Sequence, residues 1–414
     1  MINPVLDFLY SLHGRGIKLG LKNIERFLEV CDNPHHKIQT IHLAGTNGKG
    51  STSSLISKIL QEKGYKVGLY TSPHLIRFNE RIRINGKPIS DVAIIEFIEK
   101  HKQTLIDSSI TFFEATTALA FDYFSQKNLD IAIIETGLGG RLDSTNVLSP
   151  VQTIITEIHY DHTHILGNSI EEITSEKCGI FKENIPCITI NSDKRVLSVI
   201  QEHANSKNVQ VSFIKKKDII INDHSSESIS FDYKNKNFSL PQGGSYQAQN
   251  AVLAIKACQE FSPSITDQSI QTGLKKWFWP GRMQRMKKDF FYDVAHNENG
   301  IGMLAKDLYE LYNKKPIGVV VLKKDKINPK LVEIFNKSFD KVIISSIPSK
   351  DILNKEEIEK NLLLENFEFI DSLNDALETV DQMSHTGGKV VFGSHYIAKD
   401  VYNFFDFFFD NGMI

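Results

Sequence analysis

Cysteine is scarce: Cys31, Cys178, Cys187 and Cys258 are the only four in 414 residues. They show no paired or metal-like spacing, which excludes a disulfide framework and makes a reducing, cytoplasmic setting the expectation. No basic stretch followed by an apolar segment opens the chain, so no signal peptide is expected. No apolar run approaches the roughly 20 residues of a membrane span; the aromatic tail 402–409 is too short and carries Asp406. Charge of one sign is also missing. Forty-eight basic residues face 50 acidic ones, a net −2, so no global basic field points to nucleic acid or an anionic membrane. Anionic ligands must then be held by local groups. Tandem repeats and low-complexity tracts are absent.

What is present is an alternation of short apolar runs with helical patterns. Segments 38–44, 67–70, 130–135, 151–157 and 186–190 read as buried strands. Helical patterns at 51–61, 91–106, 115–127 and 170–181 separate several of them. This rhythm predicts an α/β fold with a mostly parallel sheet covered on both faces. Residues from about 210 to 240 are rich in Lys, Asn and Ser and predict a small β excursion, followed by a helix over 245–261. Trp279-Pro280-Gly281-Arg282 breaks the pattern. Strands are then expected at 290–294, 317–322, 341–345, 367–370 and 389–392. The expectation is a P-loop-type domain over 1–285 and a smaller Rossmann-like domain over 286–414.

The strand ending at Ala44 runs into Gly45-Thr46-Asn47-Gly48-Lys49-Gly50-Ser51-Thr52. Glycines let the backbone turn its N–H groups toward a polyphosphate. The following helix N-terminus adds positive potential, Lys49 a point charge, and a hydroxyl a ligand for Mg²⁺. The spelling departs from a strict Walker A motif, because the first glycine is too close to Lys49 and Gly50 follows it. A bare tight turn is the alternative. Strand, lysine, hydroxyl and helix together favour nucleotide binding through Thr46, Asn47, Gly48, Lys49, Gly50 and Ser51. Glu135 ends an apolar strand, which puts a carboxylate at the sheet edge where open α/β sheets bind ligands.

This loop resembles the ATP loop of the Mur-ligase superfamily, most closely its folylpolyglutamate synthase/dihydrofolate synthase branch. Further blocks carry the same resemblance: Thr71-Ser72-Pro73-His74-Leu75, Phe78-Asn79-Glu80-Arg81-Ile82, Phe112-Phe113-Glu114 and Glu135 through Asp143. Asp161-His162-Thr163, Glu176-Lys177-Cys178-Gly179-Ile180, Trp279 through Arg282, Asp293 through Asn297 and Gly393-Ser394 follow in order.

The resemblance implies an ATP-dependent ligase that activates a carboxylate as an acyl phosphate and couples it to L-glutamate. The acceptors would be tetrahydrofolate and its one-carbon forms, and also dihydropteroate. It implies two Mg²⁺ ions, one near Ser51 and Ser72, one near Glu135 and His162. Lys177 would carry a CO2-derived carbamate that helps hold the metal. Lys49, Lys177 and His296 would serve catalysis; Asn250, Arg282 and Asp293 would hold the nucleotide, lying between two domains that close. Lys18, Leu19, Gly20 and Leu21 resemble a pterin loop. Thr111, Phe112, Phe113, Glu114, Leu142, Asp143 and Ser144 match other pterin-side segments, with Asp143 able to accept from a donor-rich pterin edge. Ser394 and His395 are the weakly marked glutamate candidates. A monomer is expected.

The sequence also departs from the family pattern. Lys18 stands where some bifunctional members have Asp, which leaves a synthase acting on folates alone as an alternative. Tyr246 stands where His is common, Glu298 where Pro is frequent, and Ser144 where Ala is often found. His164 matches no family position and reads as solvated. A peptidoglycan-precursor Mur ligase is disfavoured by the Phe-Phe-Glu block and by the lack of an extra N-terminal domain. A P-loop regulatory NTPase leaves the Lys177 and Asp293 blocks unexplained. A silent binding module leaves all the candidate residues unexplained.

Overall fold

The computed structural model describes residues 2–16, 20–349, 351–357 and 366–408. These fall into two compact units. One holds the described residues up to Ile219 with Gln249–Trp277; the other holds Ile220–Ala248 and the described residues from Phe278 to 408.

The first unit is built on eight strands: β1 (Thr40–Ala44), β2 (Val67–Tyr70), β3 (Ile82–Ile84), β4 (Lys87–Pro88), β5 (Ile131–Glu135), β6 (Gln152–Ile155), β7 (Cys187–Thr189) and β8 (Val211–Phe213). Their order is β4-β3-β2-β5-β1-β6-β7-β8. The six from β2 to β8 are parallel, while β3 and β4 add antiparallel at one edge. Strands β1, β2, β5 and β6 are buried along their whole length. β2 and β5 are mostly apolar, as expected where helices cover both faces, while β1 and β6 also bury Thr40, His42, Gln152 and Thr153. Register decides what meets at the carboxyl edge: Leu43 pairs with Glu135, Ala44 with Ile155 and Tyr70 with Ile134. The segments that leave these strands therefore start side by side.

Helix Lys49–Glu62 follows β1 and is almost wholly buried. Helix Asp267–Lys275 packs on it so closely that a Cβ on Gly273 would lie 2.8 Å from Ile59 Cα. Trp277, 1% exposed, donates from Nε1 to Ser54 Oγ (2.9 Å). Phe27, Phe97, Phe112, Phe121 and Phe124 belong to one core on this unit. A second gathers Ile155, Ile173, Phe181, Val196 and Ile200.

In the second unit, β12 (Gln284–Lys287), β13 (Phe290–Tyr292), β14 (Ile317–Val320), β15 (Lys341–Ser346), β16 (Phe367–Ser372) and β17 (Lys389–Phe392) form a sheet. Its order is β12-β13-β17-β14-β15-β16, parallel except at β12. A separate three-stranded sheet holds β9 (Ile219–His224), β10 (Ile229–Tyr233) and β11 (Lys236–Leu240).

The α/β class and the parallel sheets match expectation. Two details differ. The segment expected as one β excursion is divided, since β8 extends the large sheet and only β9–β11 stand apart. The expected single break at 285/286 is replaced by a discontinuous division, in which 220–248 pack with the C-terminal portion. The reason is long-range: Ser245 and Tyr246 hydrogen-bond to Asp307 and Asp293, contacts that local periodicity does not encode.

Candidate active site

The phosphate loop leaves β1 at Gly45. A Cβ there would lie 1.8 Å from Thr156 Oγ1, and one on Gly48 would lie 2.3 Å from Asn250 Oδ1. Gly48 also has φ +86°, a left-handed value that a side chain disfavours. The amides of Thr46 and Asn47 both donate to the Glu157 carbonyl (2.8 and 3.2 Å). These two are therefore engaged with the neighbouring strand end, and the amides from Gly48 onward, at the helix start, suit an anion better. Asn250 reaches the same loop region, with Thr52 Oγ1 donating to its Oδ1 at 3.5 Å.

Lys49 folds over the loop, donating from Nζ to the carbonyls of Gly45 (3.1 Å) and Thr46 (3.2 Å). Lys177 donates from Nζ to the same Gly45 carbonyl at 2.9 Å. It is 4% exposed, on helix Ile170–Cys178. Burial and the neighbouring Lys49 charge pull its pKa from 10.5 to about 7, against opposing pulls from Asp161 and Asp143. The amine is thus readily neutral near pH 7. The helix end carrying it is tied to the loop after β5, where Arg141 N–H donates to the Glu176 carbonyl (2.7 Å).

Glu135 is buried at the end of β5, and the Ser72 amide donates to its Oε2 (3.1 Å). Ser51 is buried in the first turn of helix Lys49–Glu62. His162 has φ +48°, and its Nε2 lies 3.9 Å from Asp161 Oδ1. Hydroxyl, carboxylate and imidazole donors are hard or borderline ligands, so this set fits Mg²⁺ chemically, chiefly through its oxygens.

On the expected pterin side two carboxylates are held by hydrogen bonds from their own segments. Asp143 accepts from Gly137 N (2.9 Å), Leu138 N (2.8 Å), Thr145 N (3.0 Å) and Thr145 Oγ1 (2.5 Å). Its oxygens organise the loop and cap the turn Ser144–Val147. Glu114 accepts from Thr111 N and Oγ1 (both 2.8 Å), a reciprocal cap on helix Phe112–Ser125. Phe112 anchors an aromatic group. His13 stacks on it (centroids 3.9 Å), Tyr10 is nearby (5.7 Å), and the Arg81 guanidinium lies 5.2 Å from its centroid. Arg81 Nε donates to His74 Nδ1 (2.8 Å). Phe113 packs over Gly137, where a Cβ would lie 2.4 Å from the ring. Leu142, Ser144 and Leu21 are partly exposed. Gly20 has φ +133°, while Lys18 and Leu19 lie outside the described residues. Tyr10, His13, His74 and Arg81 received no role from the sequence; two of them sit in resembling blocks, yet nothing local places them around Phe112.

In the second unit, Asp293 accepts from Tyr246 Oη (2.7 Å), Met283 N (2.6 Å) and Ala295 N (2.7 Å). Burial raises its pKa, opposed by Arg282 and by those donors. Arg282 Nη1 donates to the Gly281 carbonyl (3.0 Å), and His296 Nδ1 lies 2.9 Å from the Val294 carbonyl. Ser394 is buried and its Oγ accepts from Tyr396 N (3.1 Å); the His395 and Tyr396 rings lie 4.7 Å apart. Among the described residues, His224, Asp307 and Glu310 bring ligand-type atoms within 4.8 Å of one another. Both Asp307 oxygens, however, accept from Ser245 (2.8 and 2.6 Å).

Comparison with known proteins decides the family. The Mur ligase middle domain matches residues 43–258. The dihydrofolate synthase/folylpolyglutamate synthase of Bacillus subtilis is 39% identical over 342 residues, 77% of this chain and 80% of that protein. The chain belongs to the folylpolyglutamate synthase/dihydrofolate synthase family of the Mur-ligase superfamily. A folylpolyglutamate synthase structure from Thermotoga maritima is 32% identical, with TM-score 0.82, covering 98% of this chain and 96% of that one. The Escherichia coli FolC structure in complex with DHPP and ADP has TM-score 0.86 at 28% identity, covering 98% and 97%. As a member of this family the chain is an ATP-dependent ligase. Among its described residues no helix is long and apolar enough to cross a membrane.

Proposed function

We propose that this ligase joins L-glutamate to the carboxylate of tetrahydrofolate and its one-carbon forms, and to dihydropteroate, through an acyl phosphate. The observation that carries the reading is the meeting of Lys49 and Lys177 at the Gly45 carbonyl, on a loop whose parallel neighbour ends in buried Glu135. The names of the Bacillus relative and the ligands of the FolC structure support both acceptors.

In the first step an oxygen of the substrate carboxylate attacks the γ-phosphorus, and the bond to the ADP oxygen breaks. In the second the glutamate amine attacks the acyl carbon, phosphate leaves and the amine loses a proton. The loop amides and Lys49 bind the polyphosphate and offset charge as it shifts. Ser51, Ser72, Glu135 and His162 would hold magnesium, which supplies further electrostatic stabilisation when bound.

Lys177 is suited to carbamylation. Its neutral amine attacks CO2 and loses one proton, giving an anion. That change turns the repulsion from Lys49 into attraction and adds an oxygen donor to the set. Asn250, Arg282 and Asp293 serve the nucleotide and His296 the phosphate. The aromatic group around Phe112, together with Phe113, Leu142 and Ser144, serves the pteridine. Ser394 and His395 serve glutamate. We read the enzyme as a cytoplasmic monomer, in keeping with four buried free thiols.

Purified protein with ATP, glutamate and either acceptor tests this, with products read by mass. Glutamate-dependent phosphate release and an added glutamyl mass are expected with both. Growth with tetrahydrofolate alone selects the single-acceptor reading. Acceptor-independent hydrolysis overturns the ligase reading of the site.

A further inference from the structure

Tyr246 opens helix Tyr246–Phe261. Its ring lies over Gly244, where a Cβ would meet it at 2.9 Å, and packs against the core that contains Met283 and Phe291. The phenol is held well above its usual pKa, chiefly by burial and then by the Asp293 charge, so it stays a donor. Its hydrogen goes to Asp293 Oδ2, which also takes Met283 N–H, while Oδ1 takes Ala295 N–H. Three donors thus leave Asp293 acceptor capacity on Oδ1 for one further group.

The turn that bears Tyr246 does not need this bond. Gln242 Nε2 donates to the Trp279 and Arg282 carbonyls (2.8 and 2.9 Å), and its Oε1 accepts from Trp279 N (3.0 Å). Ser245 is fixed through N–H and Oγ by Asp307. Loss of the phenol hydrogen would leave those anchors and act on Asp293.

We propose that Tyr246 is a positioning residue for nucleotide binding: its O–H orients the Asp293 carboxylate and keeps it an acceptor for a hydroxyl of the nucleotide sugar. This rests on the reading of Asp293 as a nucleotide residue. An aspartate accepts from a sugar hydroxyl best when ionised, and burial works against ionisation. Arg282 from the turn before β12, Tyr246 itself, Asp307 facing Tyr246 from helix Glu298–Tyr312, and His224 from β9, whose Nε2 accepts from the Gly244 N–H beneath the ring, are charged or titratable groups around the pair. Removing the phenol donor raises the Asp293 pKa, so binding fails at a higher pH than in the native enzyme.

The test is steady-state kinetics of the full chain with ATP as the varied substrate, for native enzyme, Tyr246→Phe, Tyr246→His and Asp293→Asn. Tyr246→Phe should raise KM for ATP about tenfold with kcat within about twofold, the size of one hydrogen bond to a charged group. The acid limb of kcat/KM for ATP should move up by about one pH unit. Tyr246→His, which keeps an N–H donor, should recover most of the loss at neutral pH, and it carries the test if the Phe variant does not fold. If Asp293→Asn raises KM while Tyr246→Phe leaves KM and the acid limb unchanged, the positioning role is wrong. If Asp293→Asn itself leaves KM unchanged, the reading of Asp293 falls instead and takes the proposal with it.

Discussion

Lys49 and Lys177 donate to one carbonyl, that of Gly45, at 3.1 and 2.9 Å. Two ammonium groups sharing an acceptor repel one another, and Lys177 is pulled down to about 7 as a result of burial first and Lys49 second. The pair makes sense around an anion, whether a polyphosphate between them or a carbamate on one. Lys177→Ala is expected to lower turnover about 100-fold or more, the scale of losing a preorganised electrostatic group. Intact mass measured under bicarbonate should show one added CO2 on the native protein and none on the variant. Full activity in Lys177→Ala contradicts the assignment.

Gly48 combines φ +86° with a Cβ position 2.3 Å from Asn250 Oδ1. Gly48→Ala therefore forces Asn250 away and strains the turn by about 1–2 kcal/mol. ATP affinity, measured by calorimetry, should fall at least tenfold, while the melting temperature drops by only a few degrees. Unchanged affinity would mean that the loop does not grip nucleotide in this conformation.

Arg81 and His13 flank Phe112, which the sequence marked, although neither had been given a role. Arg81→Ala should raise KM for the folate acceptor about tenfold, in the range of a partly desolvated cation–π contact with its hydrogen bonds. KM for ATP should not move. A change in the ATP value alone would place Arg81 on the other side of the reaction.

A buried relay supports the loop after β5. Thr145 Oγ1 donates to Asp143, so it accepts from His42 Nε2–H, 2.8 Å away, which fixes that tautomer. Thr145→Val strips one donor from Asp143 and leaves the His42 N–H without an acceptor. Urea unfolding should show a loss of about 1–3 kcal/mol. A neutral result would mean the relay carries no stability.

His42 is expected to make the fold acid-labile. Its pKa is pushed from 6.5 to about 3, by burial first and Lys182 second. The unfolded chain binds the proton and the folded one refuses it. The contribution of this group is complete well above pH 6.5 and declines as pH falls from there toward about 3, by up to about 1.4 kcal/mol per pH unit. Urea unfolding across the window should show the decline, with a shallower slope in His42→Gln. Equal slopes would contradict the assignment.

The strands, the phosphate loop and the edge position of Glu135 were legible because each depends on residues adjacent in the chain. Apolar runs set the sheet, and glycine, lysine and hydroxyl spacing set the loop. What stayed hidden depends on contacts across long separations. Tyr246 was marked only as standing where His is common, and its O–H reaches a residue 47 positions away. The division at 220–248 was invisible for the same reason, since Ser245 is fixed by Asp307 from 62 positions on.

Phosphoryl transfer from ATP to a substrate carboxylate is the central step, and the fate of that carboxylate's oxygen tests it most directly. With the acceptor carboxylate labelled by heavy oxygen, one labelled atom should appear in each phosphate released, counted by mass spectrometry of the phosphate. Unlabelled phosphate, formed at the same rate as the glutamylated product, would contradict it.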